Sequence, residues 1–142
     1  MKTVFVDSSV LFTAVNSPTG GSAKLFTLES IQLTTSTLVL AEVERNVRKK
    51  LFHYHLERFF LLTTKLTITD QLPGGDLLEK AEKAIAKKDA MILAQAKEQK
   101  TNFLVTLDKK HFLTEAVARF LKPQKALTPK MLLAIIEGRK VR

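Results

Sequence analysis

The stretch MKTVFVDSSVLFTAV, residues 1–15, decides how the rest of the chain is read. Residues 3–6 are β-branched or aromatic, which suits a short strand buried on both faces. Asp7 ends that run, and SSVLFTAV then has the apolar content of a helix, closed by the polar and glycine-containing residues 16–21. A buried strand passing straight into a helix is the opening unit of a parallel sheet.

The unit repeats. SAKLFTLE reads as a brief helix, IQLTT as a second strand, and Ser36 as the N-cap of a helix running from about residue 37 toward Lys50. Residues 53–63 continue as helix, KLTIT (65–69) alternates like a strand, and QLPGGD is a turn whose Pro and Gly residues are flanked by Asp70 and Asp76 in turn and capping roles. From Leu77 onward apolar residues recur at helical spacing, and AMILAQAKEQ extends that character to about residue 99. No Gly or Pro interrupts it, so one long helix is expected. NFLVT is a strand, KHFLTEAVARFL an amphipathic helix, KAL a last short strand, and Thr128 before Pro129 opens a final helix. The alternation predicts an α/β fold, a central parallel sheet flanked by helices, as a single domain over residues 1–142.

Hydrophobic residues make up 45% and charged residues 26%, a composition that excludes a disordered or collagen-like chain. Twenty-three Lys and Arg against fourteen Asp and Glu leave a net charge of +9, which points to a polyanionic partner. The basic residues gather in RNVRKK (45–50), KK (109–110) and GRKVR (138–142). The absence of Cys excludes disulfides and thiolate metal sites and fits a reducing compartment. Asp7 interrupts the apolar start, and no run of about 18 apolar residues could span a bilayer, so a cytoplasmic protein is expected.

Four acids lie at the borders of apolar segments: Asp7 after TVFV, Glu42 within STLVLAEV, Asp89 before AMILAQA and Asp108 after NFLVTL. Each has an ordinary explanation. Asp7 and Asp89 could cap helices, and Glu42 could pair with Arg45. Glu42 is the hardest to place, because a carboxylate buried in that apolar run is costly unless it is paired or metal-bound. Ligands of open parallel sheets gather beyond the carboxyl ends of the strands, where Asp7 and Asp108 would stand. Thr106 shares the face of Asp108 on an extended strand end, and Ser9 is a small polar neighbour of Asp7. Converging carboxylates without Cys or clustered His suit Mg²⁺ or Mn²⁺. His53, His55 and His111 form no helical metal motif and are read as surface or packing residues.

The segments VFVDSSVLF, STLVLAEV, KKDAMILAQA and FLVTLDKKHF, in that order, resemble the motif set of PIN-domain ribonucleases, and in flavour the VapC-type toxins. The resemblance spans nearly the whole chain and lies in the order and context of the acids. It implies a three-layer α/β/α sandwich, a Mg²⁺- or Mn²⁺-dependent endoribonuclease activity on RNA, frequent homodimers and, for a toxin, an antitoxin partner that packs on the helices. It assigns Asp7, Glu42, Asp89 and Asp108 as metal ligands, with Thr106 and Ser9 as their polar support. Two departures stand out. Residues 84–88, before Asp89, lack the Gly or Ser break common in the family, and Lys110 takes a place where some members carry another acid. Three alternatives remain at this level: an RNA-processing nuclease of the same family, a catalytically silent RNA-binding or assembly module, and a phosphoacceptor domain. The last wants paired acids after the first strand, where this chain has Ser8.

Overall fold

A computed structural model describes residues 1–138. The basic run at 138–142 therefore lies, apart from Gly138, outside the described residues. Five strands form one parallel sheet: β1 (Lys2–Val6), β2 (Ile31–Ser36), β3 (Leu66–Thr69), β4 (Phe103–Val105) and β5 (Lys125–Leu127), in the spatial order β3-β2-β1-β4-β5. The central strands β1 and β4 are apolar where helices cover both faces. Val4, Phe5, Val6, Leu104 and Val105 are fully buried, as expected for the centre of a parallel sheet.

Between β1 and β2 lie α1 (Ser8–Asn16) and α2 (Gly21–Leu25), and between β2 and β3 lie α3 (Thr37–Lys50) and α4 (His53–Thr63). These four pack among themselves, and α9 (Pro129–Ile136) joins α2. Of the helices between β3 and β5, α5 (Gly75–Ala84) packs on both α6 (Lys87–Glu98) and α8 (Glu115–Leu121), with α7 (Lys109–Phe112) leading into α8. The result is a three-layer α/β/α sandwich. Hydroxyl caps fix several helix starts: Ser36 accepts from Val39 N, Thr114 from Val117 N and Thr128 from Met131 N.

Two expected helices are each divided. The continuous helix from residue 77 to 99 breaks at Ile85 and Ala86, where Ile85 takes an extended conformation (φ −150°, ψ 162°) and is itself buried. Burying that side chain and folding α5 back on α6 outweighs two residues of helical hydrogen bonding, a tertiary effect without a Gly or Pro signal. The helix expected over KHFLTEAVARFL is likewise split into α7 and α8, because Thr114 turns out of helical conformation to cap α8.

β1 and β4 are neighbours, with Val6 paired to Val105. Chain connections run from β1 outward through β2 to β3, and from β4 outward to β5. The carboxyl ends of β1 and β4 therefore meet at the switch point where a doubly wound sheet opens a crevice.

Candidate functional site

Asp7 follows β1 immediately, and its backbone N–H continues the ladder to Val105 O at 3.1 Å. It occupies the N-cap position of α1, yet its carboxylate makes no capping hydrogen bond. Instead Oδ2 accepts from Ser9 Oγ at 2.8 Å and from Thr106 Oγ1 at 2.8 Å. The side chain is held between a hydroxyl of the first turn of α1 and one at the end of β4. Burial pushes the Asp7 carboxyl above the ordinary aspartate value; the hydrogen bonds from Thr106 and Ser9 and one at Ser8 oppose that rise, and the charge of Asp89 adds to it.

Thr106 is fully buried directly after β4. Its Oγ1 also accepts from Asp108 N at 3.0 Å, and Ser9 Oγ accepts from Leu107 N at 3.0 Å. Two hydroxyls thus stitch the β1 and β4 ends together. Asp108 caps α7, with Oδ1 accepting from His111 N at 3.2 Å.

Asp89 lies in the first turn of α6, where the helix dipole favours a carboxylate. Its side chain is 16% exposed, Lys88 Nζ stands 3.5 Å from Oδ2, and that buried oxygen has no hydrogen-bond partner. The Lys88 ammonium compensates that charge without hydrogen-bonding to it, and a metal ion bound there would compensate the carboxylate more fully.

Glu42 departs from its expected place. It is half-buried, not enclosed among the apolar residues of α3, and it lines a recess of about 230 Å³ with Ser8, Ser9, Phe12, Asn46 and Lys50. The helix turns Val39, Val43 and Val47 inward and leaves Glu42 to the side facing α1. No ion pair joins Glu42 to Arg45 among the described residues, and Glu44 pairs with Arg48 at 3.0 Å.

Asp7, Thr106, Ser9, Asp89 and Asp108 are drawn to one edge of the sheet, and Glu42 lines a recess together with Ser9, outside the group of ligand atoms that Asp89 and Asp108 share. One participant escaped the sequence reading. His111 Nδ1 lies 3.0 Å and 2.9 Å from the two oxygens of Asp108, and ligand atoms of Asp89, Asp108 and His111 lie within 4.8 Å of one another. The signal was the spacing of three residues from a capping aspartate, which returns a side chain to its cap. Of the other histidines, His55 is buried, and its Nδ1 accepts from Phe52 N at 3.1 Å at the start of α4. His53 is exposed, 3.6 Å from Glu57. The donor set of hard carboxylate oxygens with one imidazole, including an Asp89 oxygen that is buried without a hydrogen bond, fits a divalent ion.

The sequence model of the PIN domain family matches residues 4–117. The chain belongs to the PIN domain family. No curated protein matches it. Among solved structures, VapBC2 from Rickettsia felis, bound to a DNA fragment from its promoter, superposes with a TM-score of 0.65 at 16% identity, covering 89% of this chain and 98% of that one. A toxin-antitoxin complex from Klebsiella pneumoniae gives 0.60 at 20% identity, covering 89% and 97%. VapC20 of Mycobacterium tuberculosis, described as a toxin cleaving the sarcin-ricin loop, gives 0.57 at 18% identity, covering 75% and 91%. These likenesses establish the PIN fold. Among the described residues no helix is long and apolar enough to cross a membrane.

Proposed function

We propose that this PIN domain, a single unit over residues 1–142, is a divalent-metal-dependent endoribonuclease acting as the toxin of a cytoplasmic toxin–antitoxin pair. The observation that carries this reading is the buried Asp7 carboxylate, fixed by Ser9 and Thr106 and facing the charge of Asp89. A fold with no ion to bind has no physical need to set like charges at one sheet edge and leave an Asp89 oxygen unsatisfied.

Asp7, Glu42, Asp89 and Asp108 would hold Mg²⁺ or Mn²⁺, with Asp7 and Asp108 aimed by Thr106 and Ser9. When bound, the ion supplies Lewis acidity toward water and the scissile phosphate. The chain's own residues do the remaining work. Thr106 and Ser9 lock the Asp7 carboxylate before substrate arrives, and Thr106 holds the Asp108 backbone N–H, so little reorganisation is left to the reaction. Lys87 and Lys88 beside Asp89, and Lys109 and Lys110 beside Asp108, are exposed at the starts of α6 and α7, placed to hold phosphates flanking the scissile bond. Lys50 lines the Glu42 recess and adds a cation there.

The toxin role is supported by the kinds of protein that share the fold, among them an RNA-cleaving toxin and complexes with antitoxins. An antitoxin could pack on the helices and insert a basic side chain among the acids, and the same reading carries a homodimer. Exposed Phe52, Tyr54, Phe60 and Leu61 on and beside α4 offer apolar area for a protein partner.

The deciding experiment is RNA cleavage by wild type and Asp7→Asn with Mg²⁺ or Mn²⁺, with and without chelator. Cleavage should require the ion and disappear in the variant. Full activity in chelator, or unchanged cleavage by Asp7→Asn, would sink the reading. Salt-sensitive RNA binding with no cleavage would identify a silent binding module instead.

A further inference from the structure

His111 is the only imidazole in contact with the acids among the described residues. Its position is built, not incidental. Asp108 caps α7, the fully buried Phe112 anchors the turn, and Lys109 and Lys110 point to solvent, so the ring is returned onto the Asp108 carboxylate. We propose that His111 is a metal ligand of the site and tilts its preference from Mg²⁺ toward transition ions such as Mn²⁺. The proposal rests on the metal-dependent reading above and specifies the ion class.

Donor atoms around a common ion at about 2.2 Å are at most about 4.4 Å apart. Ligand atoms of Asp89, Asp108 and His111 already lie within 4.8 Å of one another, so side-chain adjustments of a few tenths of an ångström suffice. One member of the trio, Asp89, has an oxygen that is buried without a hydrogen bond, and the exposed Lys88 ammonium 3.5 Å from it can swing into solvent when an ion binds. Mg²⁺ is a hard ion that prefers oxygen and keeps several waters, whereas an imidazole nitrogen raises affinity along the transition series. Nδ1 faces both oxygens of Asp108, at 3.0 Å and 2.9 Å, separations that two donors on one ion can also adopt. An ion that takes that position replaces this hydrogen bond as the partner of both side chains, and the ring is 36% exposed, so it is free to adjust.

Electron spin-echo envelope modulation of Mn²⁺ bound to the wild-type protein reads the ligand directly, and calorimetry gives Mn²⁺ and Mg²⁺ affinities for wild type and His111→Gln. We expect nitrogen modulation in the wild type, its loss in His111→Gln, and a Mn²⁺ over Mg²⁺ preference that falls about tenfold in the variant. Mn²⁺ bound without nitrogen modulation would overturn the His111 assignment while leaving the carboxylate site standing. No Mn²⁺ binding at all would overturn both. The wild-type spectrum decides the matter even if the variant folds poorly.

Discussion

Thr106 Oγ1 donates to Asp7 Oδ2 at 2.8 Å and accepts from Asp108 N at 3.0 Å, so one buried hydroxyl joins the end of β1 to the turn after β4. Removing it leaves the Asp7 carboxylate one donor short and orphans the Asp108 amide. Thr106→Val keeps the volume and shape, so the expected loss of about 1–3 kcal/mol on chemical denaturation isolates the hydrogen bonds. Thr106→Ser should restore most of it. RNA cleavage should follow the same order, with Val at least about tenfold below Ser. Equal activity in the two variants would remove Thr106 from the site's support.

Asp7 makes stability depend on pH with an unusual sign. Its folded carboxyl is raised above the ordinary 3.8, chiefly by burial, so the folded state favours the protonated form. The stabilisation is fully present below the unfolded value and is lost as pH rises through the raised folded value. Ion-free protein should therefore melt lower at neutral pH than at mildly acidic pH on this account. Asp7→Asn keeps an acceptor for Ser9 and Thr106 without the charge. It should raise the neutral-pH melting temperature of the ion-free protein by a few degrees, for about 1 kcal/mol. Mn²⁺ should raise the wild-type melting temperature far more than that of the variant. A wild type and variant with parallel melting curves from pH 4 to 8 would contradict this.

The lysines beside Asp89 and Asp108 are exposed, and their contribution to RNA binding should be purely electrostatic. In chelator, the log–log dependence of affinity on salt should lose up to about 1.4 in slope when Lys109 and Lys110 are both changed to Ala, at about 0.7 per phosphate contact on a single strand. Melting temperature should be unchanged, since neither side chain is in the core. An unaltered slope would place the RNA path elsewhere.

The sheet was legible because its central strands are buried on both faces and read as short apolar runs while the edge strand β3 alternates, and Asp7 and Asp108 follow the ends of β1 and β4 in sequence. Ser36 and Thr128 were legible as caps because hydroxyl capping is local chemistry. What failed was tertiary. Nothing in the local sequence marks the break at Ile85, which forms because α5 folds back and buries that side chain, and nothing local distinguishes Glu42 on an apolar helix from Glu42 turned to its flank. His111 was passed over because motif reading looks for paired histidines. Its function here depends on a helix of four residues set by its own cap.

The break at Ile85 bears on chemistry because it sets where α6 starts, and Asp89 sits in that first turn. Ile85 is 9% exposed and closes the junction between α5 and the helix that carries the acid. Ile85→Ala should cost about 2–5 kcal/mol, and Ile85→Val about 0.5–1.5 kcal/mol, by urea denaturation. If the junction only adds stability, Mn²⁺ affinity measured well below the unfolding transition will be the same in both variants. We expect instead that Ile85→Ala weakens Mn²⁺ binding several-fold while Ile85→Val leaves it intact. The cavity at the junction lets the first turn of α6 fray, and Asp89 then loses the fixed position that makes it a ligand.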